Sequence, residues 1–322
     1  MRTIDSLLLK AAGALLALTA AASAQDYPSK PVRVIVPFPP GAINDSVGRL
    51  VAMHLSNRLG KQFVVDNRAG AGGVLGTELV VNAPKDGHTL LIVSLAITVN
   101  PWLYQLPYDQ SKAFAPIAVV ATAPNVISVN PDLPVQSVRE LIALAKERPG
   151  KLQYASSGVG TFLHLGPELF KSMAGVDILH VPFRGAAPAM IDVMGGRTHM
   201  AFGSIPSTIT HLRSGKLRAL GVGSEQRYAL LPDVPTVSES GLPGYTAANW
   251  IGVVAPAGTP ATIVERLHKE ISAMQDSPEV QKQLANEGAD VMRMSSTEFG
   301  NFIAAETAKW GRVVKEAGIK AQ

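Results

Sequence analysis

From residue 32 onward, short apolar runs alternate with segments whose apolar residues return every three to four positions. Short runs bounded by Gly or Pro read as buried strands, and the longer period reads as helices with one buried face. Residues 32–38 are the first strand. After a Pro-Gly loop, Val47, Leu50, Val51, Leu55 and Leu59 share one helical face, and Gly60 stands where that helix should stop. Residues 63–66 and 89–94 give two more strands, with the end of a helix at 77–82 between them.

A second cycle starts near residue 126, with a strand at 126–129 followed by Pro131 and Pro134. Ser137 and Glu140 have capping-box spacing and open a helix that runs to Glu147. Strands at 152–155, 178–181, 198–202 and 219–222 are separated by helices at 161–173, 186–194 and 207–213. Residues 232–244, rich in Pro and Gly, read as a long connection. A strand at 250–255, a helix at 260–274 and helices around 298–317 complete the chain. The alternation predicts an α/β protein whose lobes are mostly parallel sheets flanked by helices. The second lobe is expected to interrupt the first, giving lobe 1 at 25–126 plus 248–322 and lobe 2 at 127–247, with two crossings that form a hinge.

Composition narrows the setting. Met1, Arg2 and Lys10, the apolar stretch 11–22 and Ala22-Ser23-Ala24 describe a cleaved secretory signal peptide over residues 1–24. The apolar stretch is shorter than the roughly 18 to 20 residues a spanning helix needs. Cleavage leaves 298 of the 322 residues, more than one hydrophobic core takes, so two lobes are the natural division. The chain has no cysteine, which excludes thiol catalysis, cysteine-ligated metal and a lipid-modified cysteine. The formal net charge is +4, and no two basic residues are adjacent, so nucleic acid is not an expected partner. A weakly positive field favours acidic ligands.

Two strand-to-helix turns carry the candidate chemistry. The first holds Phe38, Pro40, Gly41, Ala42, Ile43, Asn44 and Asp45; the second holds Ser156, Ser157, Gly158, Gly160 and Thr161, with His164 one turn on. Helix N-termini leave N–H groups unpaired and carry partial positive charge, so each turn can hold a carboxylate without a basic side chain. Asn44 and Asp45 equally suit capping of the helix that follows. Arg184 beside Gly185 is a candidate for charge pairing. Side chains near Ile43 and Asn44, at 94–98 from Ser94, and at 204–206 from Ser204 are expected to set specificity. Trp102 and Trp250 suit either an aromatic pocket or core packing.

Enzymatic signatures are missing. The chain has no Gly-x-Ser-x-Gly elbow and no phosphate-binding Gly-Lys-Ser/Thr loop, and Gly70-x-Gly72 lacks the third dinucleotide glycine. The seven histidines show no metal spacing, and no cofactor is expected. His164 and Glu168, one helical turn apart, could make an acid–base pair.

In this order the loops resemble the periplasmic solute-binding receptors of the tripartite tricarboxylate transporter family. The resemblance rests on Tyr27-Pro28-x-Lys30-Pro31 leading into the first strand, on Pro40-Gly41 with Asp45 and Arg49, and on Asn67-Arg68-x-Gly70-Ala71-Gly72-Gly73. It continues through Pro84-x-Asp86-Gly87, the second glycine turn to His164-Leu165, and Val181-Pro182-Phe183-x-Gly185. It ends with Leu231-Pro232-Asp233-Val234-Pro235-Thr236, Gly241-Leu242-Pro243-Gly244 and Pro256-Ala257-Gly258-Thr259-Pro260. It implies a Venus-flytrap receptor that grips a small organic carboxylate through backbone amides and water, then offers the closed form to the permease subunits of a secondary transporter. A monomer is expected. Two positions depart from the family pattern: Ala42 stands where a second glycine is common, and Gly166-Pro167 interrupts a stretch where an unbroken helix is usual, so a kink is expected there. A sensor partner in place of the permease, or a hydrolase built on Ser156, His164 and Glu168, are the competing readings.

Overall fold

The computed structural model describes residues 27–41 and 43–320; the expected signal peptide and Ala42 lie outside the described residues. The first part of the chain forms β1 (Val32–Val36), α1 (Ile43–Leu59), β2 (Phe63–Asn67), a 3-10 turn (Ala71–Gly73), α2 (Val74–Val81), β3 (Thr89–Ser94) and α3 (Ala96–Leu103). β4 (Phe114–Val129) leads into α4 (Val138–Glu147), β5 (Gln153–Ser156), α5 (Phe162–Ala174), β6 (Leu179–Pro182), α6 (Ala186–Met194), β7 (Met200–Ser204), α7 (Ile205–Arg213) and β8 (Arg218–Val222). The chain returns through β9 (Ala248–Pro256), α8 (Ala261–Gln275), α9 (Pro278–Asn286), β10 (Asp290–Val291) and α10 (Ser296–Glu316).

The strands run in the order β2-β1-β3-β9-β4-β7-β5-β6, with β8 and β10 also paired to β4. At one end β2, β1 and β3 are parallel, and at the other β6, β5 and β7 are parallel. Between them β9 and β4 are antiparallel. The result is an α/β fold of two lobes, each a largely parallel sheet with helices against it. Val32, Val34, Ile35 and Val36 are fully buried, as strands covered on both faces require. The face predicted for α1 is the face it buries: Val47, Leu50, Val51 and Leu55 pack in one cluster with Val32, Val34 and Val36.

β4 joins the lobes. Residues 114–124 pair with β9, whereas residues 125–129 pair with β7 and residues 126–129 also with β8, the partner changing from Ala248 opposite Pro124 to Ser204 opposite Asn125. The chain crosses back beside this point, where the Ala247 N–H donates to the Gly223 carbonyl at 2.8 Å and the Gly223 N–H to the Asn125 carbonyl at 2.9 Å. Asn125 is fully buried, and a side-chain carbon on either Gly166 of α5 or Gly223 would run into its amide. The sequence pattern shows only the last four residues of β4, because Pro116 and Pro124 argue against a central strand. The sheet accommodates Pro116 beside a register shift and Pro124 at the change of partners.

Local capping follows the sequence. The Ser137 hydroxyl accepts from the Glu140 N–H at 3.2 Å, but Glu140 reaches back to the Gln136 N–H at 2.7 Å, so the expected box is half formed. The complete box is at Ser295 and Glu298, opening α10. The expected kink at Gly166-Pro167 does not interrupt α5, which continues to Ala174. There the Gly166 carbonyl accepts from the Tyr245 hydroxyl at 3.1 Å.

Candidate functional site

A cavity of about 300 Å³ lies between the lobes. Its first wall is built by Phe38 and Asn44 around the start of α1, by Gly72 of the 3-10 turn, and by Ser94, Leu95 and Ala96 where β3 passes into α3. Val99, Asn100, Leu103 and Tyr104 extend that wall along and just past α3, and residues 159–162 of the β5–α5 loop form the opposing one. Asn249 and Lys320 complete the lining.

Three helices, α1, α3 and α5, begin at this cavity. Neither Leu95, ahead of α3, nor Thr161, ahead of α5, caps its helix with a side-chain hydrogen bond, although the Ser94 hydroxyl accepts from the Ala96 N–H at 3.4 Å and the Thr98 and His164 N–H groups bond to the Leu95 and Thr161 carbonyls. No acidic side chain lines the cavity among the described residues. The positive ends of three helix dipoles favour an anion. The wall between them is apolar at Val99, Leu103 and Phe162, which suits a hydrocarbon body.

The first loop is held by a carboxylate. Asp45 accepts from the Gly41 N–H at 3.0 Å, from Arg49 Nε at 3.0 Å and from Asn67 Nδ2 at 2.8 Å, and Asn67 Nδ2 also donates to the Phe38 carbonyl at 3.1 Å. Burial acts to raise the Asp45 carboxyl, but the bonds from Arg49, Gly41 and Asn67 outweigh it and hold the group below the usual carboxylate range.

The second loop is held by neutral groups. The Thr161 hydroxyl donates to the Gly158 carbonyl at 2.7 Å and accepts from Ser157 Oγ at 3.1 Å. The Ser156 hydroxyl accepts from the Gly158 N–H at 3.1 Å and lies 2.6 Å from His180 Nε2. His164 Nδ1 accepts from the Gly160 N–H at 3.0 Å, and its ring stacks on His180 with centroids 4.0 Å apart. Burial, then the neighbouring positive charge of His180 and Lys171, pushes His164 down to about 3, so it is neutral at ordinary pH. Behind this stack Glu168 accepts from the Tyr154 hydroxyl at 2.6 Å and from Lys171 Nζ at 2.8 Å.

These contacts bear on the hydrolase reading. Ser156 is paired with His180, His164 is committed to a backbone amide and lies 4.0 Å from Glu168, and Glu168 is engaged by Tyr154 and Lys171. The three do not form a nucleophile–base–carboxylate relay, in which each must bond to the next.

Of the residues the sequence nominates, Phe38, Asn44, Ser94, Gly160 and Thr161 line the cleft. Pro40, Gly41, Ile43 and Asp45 shape the first loop from outside the wall, and Ser156, Ser157, Gly158 and His164 support the second from behind. Arg184 is exposed, Gly185 precedes α6 and Ser204 precedes α7; none of the three lines the cleft. Trp250 is buried edge-on against Phe299 and Phe302, and Trp102 donates from Nε1 to the Thr307 carbonyl at 3.0 Å, so both serve packing. Sequence reasoning missed Asn100, Leu103 and Tyr104, because Asn100-Pro101 reads as a turn rather than as part of α3. It also missed Gly72 as a wall residue, together with Asn249 and Lys320. A Cβ at Gly72 would stand 3.2 Å from the Tyr104 ring, which makes the close approach there a glycine's task.

No described helix is long and apolar enough to cross a membrane. Residues 47–319 match the tripartite tricarboxylate transporter family receptor. A Pseudomonas sp. (strain P51) protein of the tcbD–tcbE intergenic region is 39% identical, the alignment covering 96% of this chain and 94% of the relative. Among solved structures, R. palustris Rpa4515 with adipate is 38% identical with a TM-score of 0.77, the match covering 92% of this chain and 100% of that one. MatC from Rhodopseudomonas palustris with bound malate is 30% identical with a TM-score of 0.72, covering 89% and 100%. The family match spans most of the chain and these relatives align nearly end to end, so the chain belongs to the receptor family of the tripartite tricarboxylate transporters, a family of periplasmic solute-binding proteins.

Proposed function

We propose that this protein is an extracytoplasmic receptor that captures a small organic carboxylate between its lobes and delivers it to the membrane permease of a tripartite transporter. The observation that carries the reading is the convergence of three helix N-termini, with no acidic side chain among the described lining residues, on one interlobe cavity. Adipate on Rpa4515 and malate on MatC support an aliphatic dicarboxylate as the ligand class. Capture proceeds by rotation of lobe 2 (127–247) against lobe 1 (25–126 plus 248–322) about the two crossings. Ligand contact with both lobes stabilises the closed state relative to the open one. Residues 1–24 direct export and are then cleaved, and the mature chain acts as a monomer.

The test is a thermal-shift screen of the ligand-stripped mature protein against aliphatic and aromatic mono-, di- and tricarboxylates, followed by calorimetry. A ligand at about 100 times its Kd should add close to 3 kcal/mol of stability and raise Tm by several degrees. If no carboxylate raises Tm, the reading fails.

A further inference from the structure

Among the described residues, one cation lines the cleft. Lys320 is the sole charged side chain among the described residues that line it. Its placement is set by how α10 ends. Gly318 takes a left-handed φ of 61°. Its N–H donates to the Lys315 carbonyl at 3.2 Å, and the Ile319 N–H donates to the Val314 carbonyl at 3.0 Å. These two bonds make a Schellman turn, which fixes the direction in which the chain leaves a helix. Ile319 is then buried in the same core cluster as Trp310, Val313 and Val314. The backbone just before Lys320 is therefore held by both hydrogen bonds and packing. α10 also reaches the second lobe, where Ser172 Oγ of α5 donates to Glu316 at 2.5 Å.

The helix ends and the lysine divide the work. Each N-terminus carries about half a positive charge, so three can match one carboxylate well but leave a second without a full counter-charge. On the first wall Asn44 is 6% exposed and its Oδ1 has no hydrogen-bond partner in the protein; as an acceptor it takes a bridging water or a ligand hydroxyl, and not a carboxylate oxygen. The apolar wall at Val99 and Leu103 suits the hydrocarbon that separates the two ends of a diacid.

We infer that Lys320 is the specificity residue by which the cleft prefers a dicarboxylate over the matching monocarboxylate, its ammonium pairing with the ligand carboxylate that the helix ends leave uncovered. The inference rests on the carboxylate-receptor reading above.

Calorimetry on the mature wild type, Lys320→Gln and Lys320→Arg tests it. The probes are length-matched straight-chain diacids and monoacids of four to eight carbons, with malate as a further diacid, at low and at moderate salt. The wild type should bind at least one diacid more tightly than its monoacid. Lys320→Gln should cut that preference about tenfold, with monoacid affinity changed less than about twofold. Lys320→Arg should keep most of the preference, and added salt should erode it more in the wild type than in Lys320→Gln. Thermal melts of the free proteins verify that the variants are folded. A preference unchanged in Lys320→Gln, or no preference for any diacid in the wild type, overturns the assignment while leaving the receptor reading in place. If the wild type binds no carboxylate at all, both fall.

Discussion

The two loops that face each other across the cleft both lead into a helix but are stiffened by different chemistry. The first is tied by an ionised carboxylate, Asp45, with Arg49 and Asn67 around it. The second is tied by hydroxyls and by His164 and His180, both of which burial holds below the ordinary histidine range. In both, the support itself takes up loop amides: Asp45 that of Gly41, Ser156 that of Gly158 and His164 that of Gly160. The type of support decides how each loop responds to pH.

The most damaging way to break the comparison is Asp45→Ala, which leaves the Gly41 N–H, Asn67 and Arg49 without their shared acceptor. We expect about 2–3 kcal/mol of lost stability, below the full cost of breaking a buried pair because Arg49 is half exposed, together with a tenfold or greater loss of carboxylate affinity. Urea unfolding and calorimetry read the two effects. Unchanged stability would show that the first loop does not depend on its carboxylate.

Next in size is a contrast within the second loop. Gly160 lines the cleft with φ of 74°, and a Cβ there would stand 3.1 Å from Leu103 of the opposite wall. Gly158 has φ of 128° but lies off the wall, with its closest neighbour at 3.6 Å. Both valine variants should lose about 1–3 kcal/mol of stability through backbone strain. Gly160→Val should also lose affinity about tenfold beyond Gly158→Val, as measured by calorimetry on folded protein. Equal affinities would remove Gly160 from the ligand face.

The smallest effect is in pH. His164 sits at about 3 in the fold against 6.5 unfolded, so on acidification the unfolded chain takes up its proton first. The stability it contributes is complete above pH 6.5 and is lost progressively as pH falls toward 3. His180 is displaced in the same direction. Asp45, also lowered, contributes stability that is present above its unfolded value of 3.8 and lost only below that. Between pH 7 and 5 the decline in Tm should therefore come in part from the second loop, and His164→Gln should flatten it while Asn67→Ala should not. Parallel Tm–pH curves for wild type and His164→Gln would refute the assignment.

Much of this was legible in the sequence. The helices flanking each parallel sheet show their buried faces in the spacing of residues such as Val47, Leu50, Val51 and Leu55, and both glycine loops announce themselves between a strand and a helix. Elements with conflicting local signals were missed. β4 carries two prolines that a central strand should not have, and α3 carries Asn100-Pro101, a turn signal inside a helix. Cleft residues were found where a motif marks them, as with Phe38, Asn44, Gly160 and Thr161. They were missed where only tertiary packing brings them in, as with Asn249 at the start of β9 and Lys320 beyond α10. The loop supports were recognised as part of the site but not in their role, because spacing along the chain cannot show that Asp45 points back to the Gly41 amide.

The partner change in β4 has a mechanical meaning. At about 3.3 Å per residue, one 16-residue strand runs for roughly 50 Å through both lobes without a break in its backbone. Such a member resists stretching, and sliding one half against the other would tear its ladders. Twisting leaves the ladders paired and is its softer mode, and the change of partners at Pro124 and Asn125 marks where one half of the strand gives way to the other. Under the proposed lobe rotation a bound ligand works against the twist of β4 and of the returning crossing beside it, and substitutions far from the cleft that alter this twist should shift affinity without touching the ligand.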